Sequence, residues 1–171
     1  MLNPSLPFDQ NAFYFSDGNL SKYKDLLHAR LYNPVKMSFG RCVVHAGFFD
    51  RFYQIFLASN PIIANKFANT DLTAQKKVLK QGLNMVMMYA DGQILAKKAV
   101  GRIRDSHSQG RLNIPPGMYG FWETSLMKTI AEFDPQFSPD LETQWRAVLK
   151  PALEVIKGGY MNDRSARLVA G

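Results

Sequence analysis

The sequence has a single cysteine, Cys42, among its 171 residues. A lone cysteine excludes an intramolecular disulfide framework and any metal site built from several cysteines, and it is typical of a reducing compartment. We interpret Cys42 as a small apolar residue on a helix. The N-terminal residues show no basic segment followed by an apolar run, so we expect no signal peptide. These absences predict a cytoplasmic protein.

Long apolar runs are also missing. No stretch approaches the roughly 18 to 20 apolar residues that a membrane-spanning helix needs. Acidic residues are few, 14 against 21 lysines and arginines, which gives a net charge of +7. The basic residues are scattered rather than interleaved with aromatic residues, so we expect no nucleic-acid and no membrane partner. An acidic protein or an anionic small ligand suits such a surface better.

No segment alternates for long between apolar and polar residues, and no repeat or low-complexity run is found. Apolar residues spaced three and four apart therefore predict an all-α fold of seven or eight helices. Proline, glycine and capping residues mark the ends of these helices. The predicted helices cover about Leu20–Tyr32, Ser38–Ala58, Pro61–Phe67, Thr73–Tyr89, Ile94–His107, Pro116–Phe133 and Ser138–Gly158.

The same pattern divides the chain into three parts. We interpret residues 1–37 as an N-terminal arm with a short helix, residues 38–161 as one helical domain, and residues 162–171 as a polar tail. Hydrophobic residues make up 46% of the chain, which is enough to build a core in that domain.

His107 ends a predicted helix, on the same face as the aliphatic residues Val100 and Ile103. A neutral imidazole can bind a metal ion through one nitrogen while the other donates a hydrogen bond to a backbone carbonyl. Ser106, or the backbone near Arg104, could orient the ring in this way. A histidine on an apolar face is more often a structural residue, so both interpretations are open at this point.

Tyr53 and Gln75 are polar residues on helix faces that otherwise carry Phe, Leu and Val. A buried phenol or amide needs a hydrogen-bond partner, and a small polar molecule between the two helices would accept a bond from each. The alternative is a Tyr53 hydroxyl that reaches the surface and a Gln75 in an exposed first helical turn.

Five groups of residues follow one another in a characteristic order. They are Phe52-Tyr53 with Asn60-Pro61 and Phe67, Gln75 to Leu79, His107, Ile114-Pro115 with Tyr119, and Asp134-Pro135 with Trp145. Together they resemble the bacterial single-domain globins and the globin domain of flavohemoglobins, from Val44 to Ile156. The resemblance implies a globin fold, a three-over-three helical sandwich, here with an N-terminal extension. The loop between His107 and Tyr119 is longer than in flavohemoglobins.

On the proximal side, the resemblance implies that His107 is the iron ligand of a bound heme b. Phe67 stands at the phenylalanine that packs against the heme plane, and Ile103 belongs to the wall of the same pocket. Tyr119 matches a tyrosine that flavohemoglobins keep near the proximal histidine, where it can help to orient the imidazole.

On the distal side, the resemblance places Tyr53 and Gln75 as donors to bound oxygen, with Leu79 pressing over the ligand one turn on. Oxygen bound to ferrous iron gains partial negative charge, and one charge-assisted hydrogen bond to it contributes about 1.5–3 kcal/mol. This implies a pentacoordinate iron with high O2 affinity. His45 is the candidate outside this set for a second histidine ligand.

Among globin functions, we expect binding of O2, NO and CO, with NO dioxygenase-type detoxification as an enzymatic activity. The sequence has no flavin or nicotinamide module, so this activity would need a separate reductase. The alternative is a heme-based gas sensor that acts through a protein partner or by oligomerisation, for example as a homodimer, and the N-terminal arm favours it. Lys76, Lys77 and Arg111 are candidates for contacts with the heme propionates, although a solvated surface suits each equally.

Overall fold

The computed structural model describes residues 34–161, and the regular elements of this part are all helices. They are residues 34–43 (α1), Phe48–Ala58 (α2), Pro61–Lys66 (α3), Leu72–Ala90 (α4), Ile94–His107 (α5), Met118–Phe133 (α6) and Pro139–Gly158 (α7). The all-α prediction is therefore confirmed for the described part. The predicted helix Leu20–Tyr32, the arm up to residue 33 and the tail from residue 162 lie outside it. Among residues 34–161, no helix combines the length and apolar character needed to span a membrane.

Capping side chains begin two of the long helices where the sequence indicated. The Asp71 carboxylate accepts a hydrogen bond from the N–H of Thr73 at 2.8 Å at the start of α4. The Ser138 hydroxyl accepts from the N–H of Leu141 at 3.2 Å, and Pro139 lies in the first turn of α7. These bonds satisfy N–H groups that have no partner inside the helix, so they determine where each helix begins.

The prediction of one continuous helix over Ser38–Ala58 is wrong. A turn at residues 44–47 separates α1 from α2. In this turn the N–H of His45 donates to the carbonyl three residues earlier at 3.2 Å, a tighter spacing than that of an α-helix. Val44 is β-branched and Gly47 has a low helix propensity, which favours an interruption here.

The core joins the helices through large aromatic side chains. α2 packs on α6, whereas α4 and α5 pack on each other and on α7. Trp145 of α7 is fully buried, and its indole N–H donates to the Ser38 hydroxyl of α1 at 3.0 Å. Phe52 of α2 is also fully buried and stacks on Phe56, with ring centroids 5.4 Å apart. α2, α4, α5 and α6 surround a cavity that is partly open to solvent.

A buried ion pair connects α1 to the end of α6. Arg41 donates from Nε and Nη2 to the two carboxylate oxygens of Asp134, at 2.6 and 2.8 Å. The Asp134 side chain has no exposed surface. Burial by itself raises the pKa of this carboxyl, but hydrogen bonds from Arg41, Ser38 and the N–H of Gln136 outweigh it, and the pKa lies below its usual value. The charged pair therefore stabilises the folded state.

We predict that Asp134→Asn lowers the free energy of unfolding by about 3 kcal/mol, because it leaves the partly buried Arg41 without its counter-charge. Chemical denaturation at neutral pH measures this loss. Folding lowers the pKa of Asp134. The extra free energy of unfolding that the wild type has over Asp134→Asn is therefore present at pH values above the ordinary pKa of 3.8. It should disappear as the pH falls through the lower value of the folded state.

Glu132→Gln is the matched control for this prediction. Arg51 and Glu132 form the same two-bond geometry, at 2.6 and 2.8 Å, but both side chains are 43% exposed. Exposed pairs are screened by water, so this variant should unfold almost as the wild type does. Equal losses in the two variants would contradict the role assigned to burial.

Candidate functional site

The described residues line a partly open cavity of about 520 Å³ between α2, α4, α5 and α6, with contributions from α3 and α7. This volume lies within the range of roughly 300–1,000 Å³ that is typical of small-molecule sites. Most of the lining is apolar. All seven residues that the sequence analysis assigned to the site line this one cavity: Tyr53, Phe67, Gln75, Leu79, Ile103, His107 and Tyr119. They come from four helices and the end of a fifth, so only the fold brings them together.

His107 is the last residue of α5, and its ring is held by that helix. Nδ1 lies 2.8 Å from the carbonyl oxygen of Ile103 and 3.0 Å from the Ser106 hydroxyl, which itself donates to the same carbonyl at 2.8 Å. A carbonyl oxygen can only accept, so Nδ1 carries the proton and Nε2 keeps its lone pair for a ligand. The sequence indicated two groups that could orient the ring, Ser106 and a nearby backbone group. In the structure both of them contact Nδ1.

Burial determines the charge of this imidazole. It lowers the pKa of His107 below the ordinary value of 6.5, and the hydrogen bond to Ile103 opposes this shift without cancelling it. The ring is therefore neutral at physiological pH. The neutral form is the one that can bind a metal ion.

Tyr53 faces the same cavity from α2. It is only 4% exposed, which excludes the alternative of a hydroxyl that reaches the surface. The hydroxyl donates to the backbone carbonyl of Gln75 at 3.4 Å, a long hydrogen bond that a better acceptor in the cavity can replace. Burial raises the pKa of Tyr53 to about 12, so the phenol keeps its proton at neutral pH.

Gln75 lies in the first turn of α4 and is half-buried. Its side chain interacts with the Tyr53 hydroxyl, and this contact partly opposes the rise in the pKa of that phenol. A side-chain amide carries two N–H donors, so Gln75 can also donate to a ligand in the cavity it lines. Leu79, one turn later on the same face, is buried at the cavity wall. α4 thus contributes one polar and one apolar group to this wall.

Phe67 follows directly after α3 and gives the cavity an aromatic wall. Its ring lies 6.0 Å from the ring of Tyr53 and 5.8 Å from that of Phe56. Ile103 adds an aliphatic surface one turn before His107. Apolar walls of this kind suit a ligand with apolar surface.

Tyr119 of α6 lies beside His107, with ring centroids 6.3 Å apart and ring planes inclined by 37°. It is 7% exposed, and its hydroxyl has no hydrogen-bond partner among the described residues. Burial raises the pKa of this phenol well above its ordinary range. The hydroxyl therefore makes no hydrogen bond to the imidazole, whose Nδ1 atom is held by Ile103 and Ser106 instead.

Other candidates from the sequence lie elsewhere. His45 does not line the cavity; it is exposed, and its ring packs edge-on against Phe133 at 5.6 Å. Lys76, Lys77 and Arg111 are also outside the lining, and Lys76 forms an ion pair with a carboxylate of α2 at 2.6 Å.

Three notable lining residues were missed by the sequence reasoning: Trp122, Lys66 and Arg102. Trp122 lies three residues after Tyr119 on α6, so the helical spacing could have identified it. Lys66 and Arg102 are exposed residues, and no local pattern distinguishes them from the other surface cations.

No family model matches the chain, and no curated protein matches it. Among solved structures, the crystal structure of a protein from Pseudomonas aeruginosa PAO1 is similar, with a TM-score of 0.73 and 40% sequence identity. The match covers 76% of this chain and 98% of that one. That protein is described as structurally highly homologous to a human hemoglobin. A sequence identity of 40% over this coverage shows that the two proteins belong to the same family. The chain therefore belongs to the hemoglobin-like globins.

Proposed function

We propose that this globin holds heme b in its cavity through His107 and binds O2, NO and CO at a pentacoordinate iron. The observation that carries the proposal is the geometry of His107. Its Nδ1 atom is engaged by the Ile103 carbonyl, while the ring lines an apolar cavity with Nε2 available. A single neutral histidine with one free nitrogen is the axial ligand that heme iron takes in globins.

Several features of the cavity fit a heme group. Its walls are apolar and include Phe67, which suits a flat tetrapyrrole. The buried Tyr119 hydroxyl has no partner among residues 34–161, and a bound ligand with polar atoms would give it one. Heme, when bound, supplies the metal that forms the bond to a diatomic gas. The chain supplies the imidazole, the apolar walls and the hydrogen-bond donors.

Tyr53 and Gln75 are the donors proposed for the gas ligand. Burial raises the pKa of the Tyr53 phenol to about 12, so the hydroxyl is protonated and can donate at any physiological pH. Its present bond to the Gln75 carbonyl is long and is readily exchanged. A protonated donor in an apolar cavity stabilises negative charge on bound oxygen, which supports high O2 affinity.

We propose NO dioxygenase-type detoxification as the enzymatic activity of this site, with O2 and NO converted to nitrate. Conversion of one O2 and one NO to one nitrate ion takes up one electron, so this activity would need a reductant. We expect a separate, acidic reductase, because the chain carries a net charge of +7. The sensor alternative depends on the N-terminal arm and stays a prediction, since residues 1–33 lie outside the described part.

Replacement of His107 tests the proposal directly. We predict that the purified wild type takes up heme and shows an absorption band that shifts when carbon monoxide is added to the reduced protein. His107→Gly should lose or alter this spectrum because the axial nitrogen is gone, and added imidazole should restore it by filling the space left by the side chain. Visible absorption spectra of the oxidised, reduced and carbon monoxide-treated proteins measure both effects.

His45→Ala is the control for the His107 variant, because His45 is exposed and lies outside the cavity. It should keep the wild-type spectrum. A His107→Gly protein whose heme spectrum equals that of the wild type would refute the assignment of the ligand.

Replacement of Tyr53 tests the distal assignment. We predict that Tyr53→Phe increases the O2 dissociation rate roughly ten- to hundredfold, which corresponds to one charge-assisted hydrogen bond of about 1.5–3 kcal/mol. Stopped-flow displacement of O2 by carbon monoxide measures the rate.

Tyr89→Phe is the matched control, because Tyr89 is a half-buried tyrosine of α4 that does not line the cavity. Its O2 dissociation rate should equal that of the wild type. An unchanged rate in Tyr53→Phe would show that the hydroxyl makes no hydrogen bond to the ligand.

A further inference from the structure

Lys66 and Arg102 are the only charged residues that line the cavity in the described part of the chain. Neither an aspartate nor a glutamate is among the lining residues there. The remaining walls are mostly apolar. A cavity with this composition is complementary to a ligand that has a large apolar body and anionic groups at its edge.

Both cations can accept a new partner. Lys66, the last residue of α3, is exposed, and its ammonium donates to the Leu112 carbonyl at 3.4 Å, which is a long and weak contact. Arg102 on α5 is exposed, and no hydrogen bond or ion pair joins it to another of the described residues. Arg41 and Lys76, in contrast, are each already bound to a carboxylate.

We infer that Lys66 and Arg102 bind the two propionate carboxylates of heme and thereby select it over a porphyrin whose carboxylates are blocked. The inference rests on the proposed heme-binding function. It differs from the expectation drawn from the sequence, which named Lys76, Lys77 and Arg111, because none of these lines the cavity.

The chemistry of the two side chains suits this role. A guanidinium binds a carboxylate through two parallel hydrogen bonds, whereas an ammonium acts as a flexible point charge on a long stem. Arg102 precedes Ile103, whose carbonyl holds His107, so one carboxylate and the metal would be bound by the same helix. Lys66 lies on α3, so the two contacts would hold the ligand from different elements.

The test compares two ligands in the heme-free protein: iron protoporphyrin with free carboxylates, and its dimethyl ester. Transfer to an excess of a scavenging apoglobin measures the dissociation rate of each. We expect the wild type to release the free acid roughly tenfold more slowly than the ester, since two exposed ion pairs are lost in the ester. This difference between the two dissociation rates should shrink at about 1 M salt, because the Debye screening length is then only about 3 Å.

The double variant Lys66→Met/Arg102→Met should release the two ligands at similar rates. Each single variant should reduce the ratio of the two dissociation rates roughly threefold. Arg102→Lys and Lys66→Arg should keep most of the preference for the free acid. The double variant Lys80→Met/Lys97→Met removes the same charge from exposed residues of α4 and α5 that do not line the cavity, and it should behave as the wild type.

The outcomes separate this inference from the proposal on which it rests. A wild type that takes up neither ligand overturns both. A wild type that takes up both ligands, combined with a Lys66→Met/Arg102→Met protein that keeps the full preference for the free acid, leaves the heme proposal intact and overturns the inference. An equal loss of preference in the Lys80/Lys97 control would overturn it as well, because net charge alone would then explain the effect.

Discussion

The 2.8 Å hydrogen bond from Nδ1 of His107 to the Ile103 carbonyl determines how the candidate site is built. It places the imidazole proton on Nδ1 and leaves the lone pair on Nε2. It also holds the ring against the last turn of its own helix. The position of Nε2 therefore follows from the position of α5. The packing of α5 on α4 and α7 thus positions the ligand atom as well.

The end of α5 is in turn secured by the loop that follows it. The N–H of Ile114 donates to the carbonyl of His107 at 3.1 Å, which satisfies an acceptor that has no partner inside the helix. Asn113 adopts a left-handed conformation with φ 51°, which asparagine tolerates better than most residues. Its side chain accepts a hydrogen bond from the Tyr160 hydroxyl at 2.7 Å. This loop therefore connects the end of α5 to the residues that directly follow α7.

The sequence could predict what depends on local signals. The starts of α4 and α7 could be predicted from the capping residues Asp71 and Ser138, because a capping hydrogen bond spans only a few residues. The interruption at residues 44–47 was missed, since the apolar stripe continues across it. The resemblance to globins identified the lining residues before their grouping in one cavity was known. Lys66 and Arg102 were not identified, because their place at the cavity depends on contacts between distant elements.

Burial shifts the pKa values of two cavity groups in opposite directions, with a single chemical result. It lowers the pKa of the His107 imidazole and raises that of the Tyr53 phenol to about 12. In both cases apolar surroundings disfavour the charged form. The neutral imidazole keeps a lone pair for a metal, and the neutral phenol keeps a proton for an acceptor on a ligand. The apolar lining thus keeps the His107 imidazole and the Tyr53 phenol in their neutral forms. The charged residues of the lining are Lys66 and Arg102, which are exposed, so water still solvates their charge.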